Sequence, residues 1–322
     1  MLALPETDPI VRDDRPAFRP YAVEVARLER LTPHFTRVTF TGPQVQFFGT
    51  DLLDQRIKIV FPLEGVGLSD IGTDDEVSIA AGEWYARWRA LADDARNPIR
   101  TYTVRAVRQH ASEIDVDFVT HGDGGTAAQW LSSAVPGDEV IIVGPDARSV
   151  NSAVGIDWHP GTATNVLLAG DATAAPAICN ILESLAPGIR AYAFIEVDSL
   201  ADALPLSTTA DVTVTWLGRT DERAVGNGRT LEQCVREWTA ANRSVISPAL
   251  TAARQELEDV DVDIELIWDS PETVNGNSFY AWLAGESAMI KSLRRFLVTE
   301  TGVDRSRVAF MGYWRDGKSE AN

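Results

Sequence analysis

Apolar and polar positions alternate in short runs through the first 145 residues of the chain. From Tyr21 to Phe40 the run VEVARLERLTPHFTRVTF holds two β-rich stretches broken at Thr32-Pro33, which predicts a hairpin. Arg56–Phe61 alternates Ile57 and Ile59 with polar neighbours and stops at Pro62. Residues 64–98 mix Gly, Asp and two tryptophans, predicting a long loop with a short helix. Thr101–Val107 and Ile114–Thr120 read as strands; in the second, Ile114, Val116 and Phe118 alternate with Asp115 and Asp117. A short helix is expected around Ala127–Ala134, then a turn at Pro136-Gly137-Asp138 and a strand in EVIIVGP. Many short, turn-punctuated strands with so little helix predict an all-β antiparallel closed barrel over residues 17–150.

After residues 150–163, which read as a link, the pattern becomes strand followed by helix. Strands are expected at Asn165–Ala169, Ala191–Val197, Val212–Leu217, Val262–Trp268, Phe279–Ala284 and Arg307–Gly312. Helices are expected at Pro176–Leu185, across Leu231–Leu257 with a break near Pro248, and at Ser287–Thr299. Such alternation predicts an α/β doubly wound parallel sheet over residues 164–318. Two units suit a chain of 322 residues, and residues 1–16 read as a disordered lead-in.

Composition narrows the partners. A formal charge of −18 speaks against nucleic acid and acidic membrane surfaces, both of which require a basic footprint. No apolar stretch reaches the ~18 residues of a membrane span, and the first residues do not form a secretory signal, so a cytoplasmic protein is expected. The two cysteines, Cys179 and Cys234, form no paired motif, too few for an iron–sulfur cluster. The four histidines show no metal-ligand spacing, so no intrinsic metal is expected. Against this acidic background, Met289–Lys318 carries seven basic residues and three acidic ones, either a site for a small anion or a solvated polar face. No coiled coil or large apolar stripe forces a dimer, and a monomer is expected.

Chemistry concentrates in three places. On a strand, Arg100 and Tyr102 of Arg-Thr-Tyr-Thr project to one face, a guanidinium fork beside an aromatic ring. Thr103 faces the other way. The segment HGDGGTAAQW (121–130) follows, in which Gly125-Thr126-Ala127 opens a helix whose unpaired N–H groups suit phosphate. Thr126 reads as the N-cap, with or without a phosphate to touch. The third place is NVLLAGDATAAPAI, a strand-to-helix turn with Gly170 at the strand end, Thr173 as a cap and Pro176 in the first helical turn. It lacks the GxGxxG dinucleotide fingerprint.

Seven stretches in order, RIKIVFP, RTYTVR, DFVTHGDGGTAAQW, PGDEVIIVGP, LLAGDATAAPAI, FYAWLAGE and GYWRDGK, resemble the siderophore-interacting proteins of the ferredoxin–NADP reductase superfamily. The resemblance spans about Tyr21 to Lys318. It implies FAD on the barrel, with Arg100, Tyr102 and Thr103 at the flavin and Thr103 near its N5. His121, Gly125, Thr126 and Ala127 would meet the phosphates or the adenine side. It implies NADPH or NADH as hydride donor on the second unit, near Gly170, Asp171, Thr173, Gly285 and Glu286. Arg219 is placed for a 2′-phosphate or is a solvated loop arginine. A basic group of Arg56, Lys58, Arg315 and Lys318 would receive an anionic ferric siderophore. Two departures stand out: Arg56 occupies the position where the family usually has histidine, and Ala128 replaces a hydroxyl in the phosphate loop.

The implied reaction is hydride transfer from nicotinamide to flavin, then one-electron reduction of siderophore-bound Fe(III), with no acid–base residue. His34 and His110 are expected to be structural or surface groups. Two other classes stay open at this point, a general NAD(P)H flavin-dependent oxidoreductase serving another acceptor and a non-catalytic siderophore binder.

Overall fold

The computed structural model describes residues 10–120, 125–220, 229–253, 255–257, 267–271 and 278–316. Six strands close into the barrel: β1 (Phe18–Arg30), β2 (Phe35–Thr41), β3 (Arg56–Val60), β4 (Ile99–Arg108), β5 (Glu113–Val119) and β6 (Glu139–Pro145). Their order is β1-β2-β5-β4-β3-β6, antiparallel throughout. Period-two burial explains the closure. Tyr21, Val23, Val25, Val38, Phe40, Ile57 and Ile59 point inward with Val116, Phe118 and Ile142 to form one core. Residues 64–98 hold two short helices rather than one, α1 (Glu76–Ala81) and α2 (Trp84–Ala90), packed outside β3 and β6 through Trp88 and Ile71. Asp75 caps α1 by accepting from the Val77 and Ser78 amides, and left-handed Gly82 ends it.

One end of the barrel is stoppered by α3 (Thr126–Ser133). Its Trp130 ring lies against Phe40, Phe61 and Phe118 at centroid distances of 6.2, 5.2 and 5.8 Å. Packing therefore holds the start of α3 beside β4.

The second unit is a six-stranded sheet built from β7 (Asn165–Asp171), β8 (Arg190–Val197), β9 (Asp211–Gly218), β10 (Trp268–Asp269), β11 (Phe279–Glu286) and β12 (Val308–Trp314). The order is β10-β12-β11-β7-β8-β9. Five strands run parallel, while β10 pairs antiparallel to β12. The expected α/β doubly wound parallel sheet is thus present over five strands, with one short antiparallel strand added at the edge. Helix α4 (Ala175–Ser184) belongs to the apolar cluster on one face, and α5 (Arg229–Ala241), α6 (Arg243–Ile246) and α7 (Ser287–Arg294) to that on the other. The helical tract expected to reach Leu257 ends at Ile246, followed by a 3₁₀ turn over Ser247–Ala249 that contains Pro248. Most of the strand expected at Val262–Trp268 lies outside the described residues.

The two units meet along a polar seam. Asn180 of α4 donates to the Leu53 and Val104 carbonyls at 2.9 and 2.7 Å, and Arg105 of β4 pairs with Glu183 at 2.8 Å. At the β1–β2 turn, His34 Nδ1 lies 2.7 Å from Asp202, which also accepts from the Thr32 hydroxyl and the His34 amide. Burial pushes the Asp202 carboxyl up, but the His34 and Thr32 contacts outweigh it and hold the group below its ordinary value. His34 is a structural group, as expected, though it has a partner that sequence reasoning did not find.

Candidate functional site

Register places the barrel's charged motif. Arg100 lies opposite Ile59 and Tyr102 opposite Ile57, so both share the side that fills the barrel. Phe118 stands 4.4 Å from the Tyr102 ring, and the Arg100 guanidinium donates to the Ile99 carbonyl at 2.7 Å and to the Thr126 hydroxyl at 3.4 Å. The two stretches that sequence reasoning paired, 100–103 and 125–127, therefore do converge. The cap is different from the expectation: Gly125, exposed and extended, is the N-cap of α3, and Thr126 is the first helical residue. Because Gly125 has no side chain, the N-cap residue itself supplies no cap. Its first amides point outward beside a guanidinium, the donor set that a pyrophosphate needs. These residues fit FAD. His121 lies outside the described residues.

Thr103 is buried on the opposite side of β4 and stands across from Arg56 of β3. Lys58, two residues on, is exposed and reaches the Thr101 hydroxyl at 3.3 Å. Arg56 and Lys58 thus line the side of the barrel that carries Thr103. The Arg56 guanidinium stacks 4.1 Å over Trp268 and lies 3.3 Å from Asp157. Tyr313 stacks behind Trp268 at 5.9 Å, and Arg315 follows two residues later. Lys318 lies outside the described residues. Elsewhere in the basic stretch, Arg294 and Arg305 both pair with Asp269, so part of that charge is spent on the fold.

At the carboxyl ends of β7 and β11 a second constellation forms. Asp171 Oδ1 accepts from the Thr173 amide and hydroxyl at 2.9 and 2.5 Å. Its Oδ2 accepts from the Glu286 amide at 2.8 Å and from the Trp314 indole at 2.7 Å. Thr173 is spent on this turn, and Ala174, not Thr173, is the N-cap of α4. Glu286 caps α7 by accepting from the Met289 amide at 2.9 Å. Gly285 has φ +151°, and a Cβ there would sit 2.6 Å from Asp171 Oδ2. Gly170 serves packing, since a Cβ would lie 2.6 Å from Ala174 Cβ and the Ala284 carbonyl. Strand-end crevices of this kind are where open α/β sheets take ligands. Arg219, at the end of β9, is ion-paired to Asp198 at the end of β8.

A profile of the siderophore-interacting FAD-binding domain matches residues 24–149, and a siderophore-interacting protein profile matches 163–317. An uncharacterized protein of Mycobacterium tuberculosis is 31% identical over 314 residues, covering 93% of this chain and 92% of that one. The chain belongs to the siderophore-interacting protein family. The ferric vibriobactin reductase ViuB of Vibrio cholerae is 26% identical over 303 residues, with 94% of this chain and 91% of the relative covered. Among solved structures, the siderophore-interacting protein SipS from Aeromonas hydrophila aligns over 95% of both chains at 26% identity with a TM-score of 0.62. A ferredoxin reductase of carbazole 1,9a-dioxygenase shares the fold at a TM-score of 0.53 and 16% identity, over 92% of this chain and 70% of that one.

Sequence reasoning missed Trp314, Trp282, Asp54, Asp157 and Trp268, which tie these sites together. Tryptophans in GYWR and FYAW, inside otherwise small or apolar strand ends, were the available signal.

Proposed function

We propose that the chain is an FAD-dependent ferric siderophore reductase that draws its electrons from NAD(P)H. We assign residues 17–150 to the FAD half and 164–318 to the nicotinamide half. The observation that carries this reading is Arg100 held against the glycine-capped N-terminus of α3, within a chain of the siderophore-interacting family.

Arg100, Gly125, Thr126 and Ala127 bind the FAD phosphates through a fixed positive fork and outward amides. Tyr102 would offer its ring to the cofactor, and Thr103, whose side chain faces the other way, would offer its backbone N–H near the flavin N5. When bound, FAD supplies the conversion between two-electron and one-electron chemistry. Asp171, Thr173, Gly285 and Glu286 shape the crevice for the nicotinamide nucleotide, with Arg219 toward its ribose end. Arg56, Lys58, Arg315 and Lys318 attract an anionic ferric siderophore. Reduction to Fe(II) weakens binding by hard oxygen ligands, so iron leaves. No side chain acts as acid or base; alignment and charge do the work. Dependence on NAD(P)H suits the cytoplasm, and we expect a monomer. Among the described residues no helix is long and apolar enough to cross a membrane.

The test is turnover with a ferrous trap, comparing ferric tris(catecholate) with ferricyanide and a redox dye. A preference for the ferric chelate supports the reading. Equal or better use of the dye favours a general flavin oxidoreductase, and a flavin-free protein that still binds the chelate favours a non-catalytic binder.

A further inference from the structure

Hydride transfer requires the two halves to meet at a fixed separation, and one buried bond is placed to set it. Asp54 lies two residues before β3, whose Arg56 stands opposite Thr103. It is 1% exposed and accepts from the Trp282 indole at 2.8 Å. Trp282 lies three residues before Gly285 on β11, about 10 Å along the strand from the nicotinamide crevice. The same carboxylate accepts from the Asp157 amide at 3.1 Å and the Trp158 amide at 3.3 Å, in the segment joining the halves.

Asp157 extends the connection in both directions. Its carboxylate accepts from the Trp268 indole at 3.1 Å and faces Arg56, which stacks on that same tryptophan. Its carbonyl accepts from the Tyr280 hydroxyl at 3.2 Å. One end of this network is therefore the strand beside Thr103, and the other is the strand that ends at Gly285-Glu286. A carboxylate is an expensive group to bury for structure alone, since an apolar contact between the halves avoids its desolvation. What a fully bonded carboxylate adds is a single allowed geometry.

We infer that Asp54 is a positioning residue, and that its hydrogen bond to Trp282, braced by Asp157, sets the approach of the nicotinamide half to the FAD half. The inference rests on the reductase reading. Burial, reinforced by the nearby Asp157 charge and opposed by the Trp282 bond, pushes the Asp54 carboxyl up to about 6. The titratable groups around it are Asp157 from the linking segment, which faces Arg56 of β3 in turn, Tyr280 from β11 and Tyr313 from β12. Both tyrosines are pushed above their ordinary range, chiefly by burial.

Two variants test it, Trp282→Phe, which loses the indole N–H together with part of the buried ring, and Asp54→Asn, which keeps shape and exchanges one acceptor oxygen for a donor. In anaerobic stopped flow with saturating NADPH or NADH, flavin reduction slows ~10-fold or more in each variant. Re-oxidation of dithionite-reduced protein by saturating ferric tris(catecholate) keeps the wild-type limiting rate, because that step needs no nicotinamide in the crevice at Gly285-Glu286. On the FAD-loaded full chain, the Trp282 indole resonance in an ¹H–¹⁵N spectrum titrates with a midpoint near pH 6 and stops titrating in Asp54→Asn. It continues in His159→Gln, which removes the neighbouring histidine ring. Reduction within two-fold of wild type in both variants, or equal slowing of both half-reactions, overturns the proposal alone. A wild-type flavin that neither nicotinamide reduces overturns the reductase reading and this proposal with it.

Discussion

Asn180 sits in α4 among Ile178, Cys179, Ile181 and Leu182, all buried, and is itself 4% exposed. Its amide nitrogen supplies the two carbonyl contacts across the seam, and its oxygen accepts from Arg105 at 2.9 Å. Both carbonyls come from irregular backbone: Val104 borders the β4 bulge, and Leu53 has a φ of +50°. Replacing Asn180 with Ala therefore removes two neutral bonds worth about 1 kcal/mol each and one to a charged donor worth about 1.5–3 kcal/mol. Arg105 retains Glu183, which discounts the last, and alanine's better helix propensity returns about 0.6 kcal/mol. The expected net loss is about 2–4 kcal/mol. Urea denaturation followed by circular dichroism measures it, with Ser184→Ala as control, since that hydroxyl reaches only the Ile181 carbonyl of its own helix. A loss below ~1 kcal/mol, or one matched by the control, refutes the idea that this amide joins the halves.

Three further outcomes follow from the sites. Arg100→Ala weakens FAD binding ~10- to 100-fold, the value of a charged hydrogen bond, in a fluorescence titration of apo-protein; a change under three-fold contradicts the phosphate role. Gly285→Ala displaces Asp171 from Trp314 and the Glu286 amide, raising the KM for NAD(P)H by ~10-fold at unchanged FAD content. An unchanged KM removes that turn from the nicotinamide site. Asp54 gives a signed pH effect. Its folded pKa is raised from 3.8 to about 6, so the stability it contributes is complete below pH 4 and lost as pH rises through 6. Asp54→Asn lacks this loss, so its stability relative to wild type improves by on the order of 2–3 kcal/mol from pH 4 to pH 7. A pH-independent difference contradicts the assignment.

The barrel and the sheet were legible because each rests on local periodicity. Alternation in β5 and the strand–helix rhythm after residue 164 survive in any environment that buries one face. The Arg100–Thr126 convergence was also readable, since one motif lies on a strand and the other opens the next helix. The seam was not. Asp54 and Trp282 are 228 positions apart, and nothing near Asp54 marks it as buried rather than as one more acid in an acidic loop. Asn180 left a trace, a lone amide in APAICNIL, but its partners are backbone carbonyls that have no sequence signature. The caps were misplaced by one residue for a related reason. Thr126 and Thr173 both have the right chemistry, yet Arg100 and Asp171 engage their hydroxyls first.

The most direct test of the central claim is an anaerobic titration of purified protein with FAD, then nicotinamide, then a ferric chelate. One equivalent of FAD is expected to bind, NADPH or NADH to bleach it, and ferric tris(catecholate) to restore its colour as Fe(II) appears in the trap. Folded protein that takes up no FAD, or whose bound flavin stays oxidised with both nicotinamides, contradicts it.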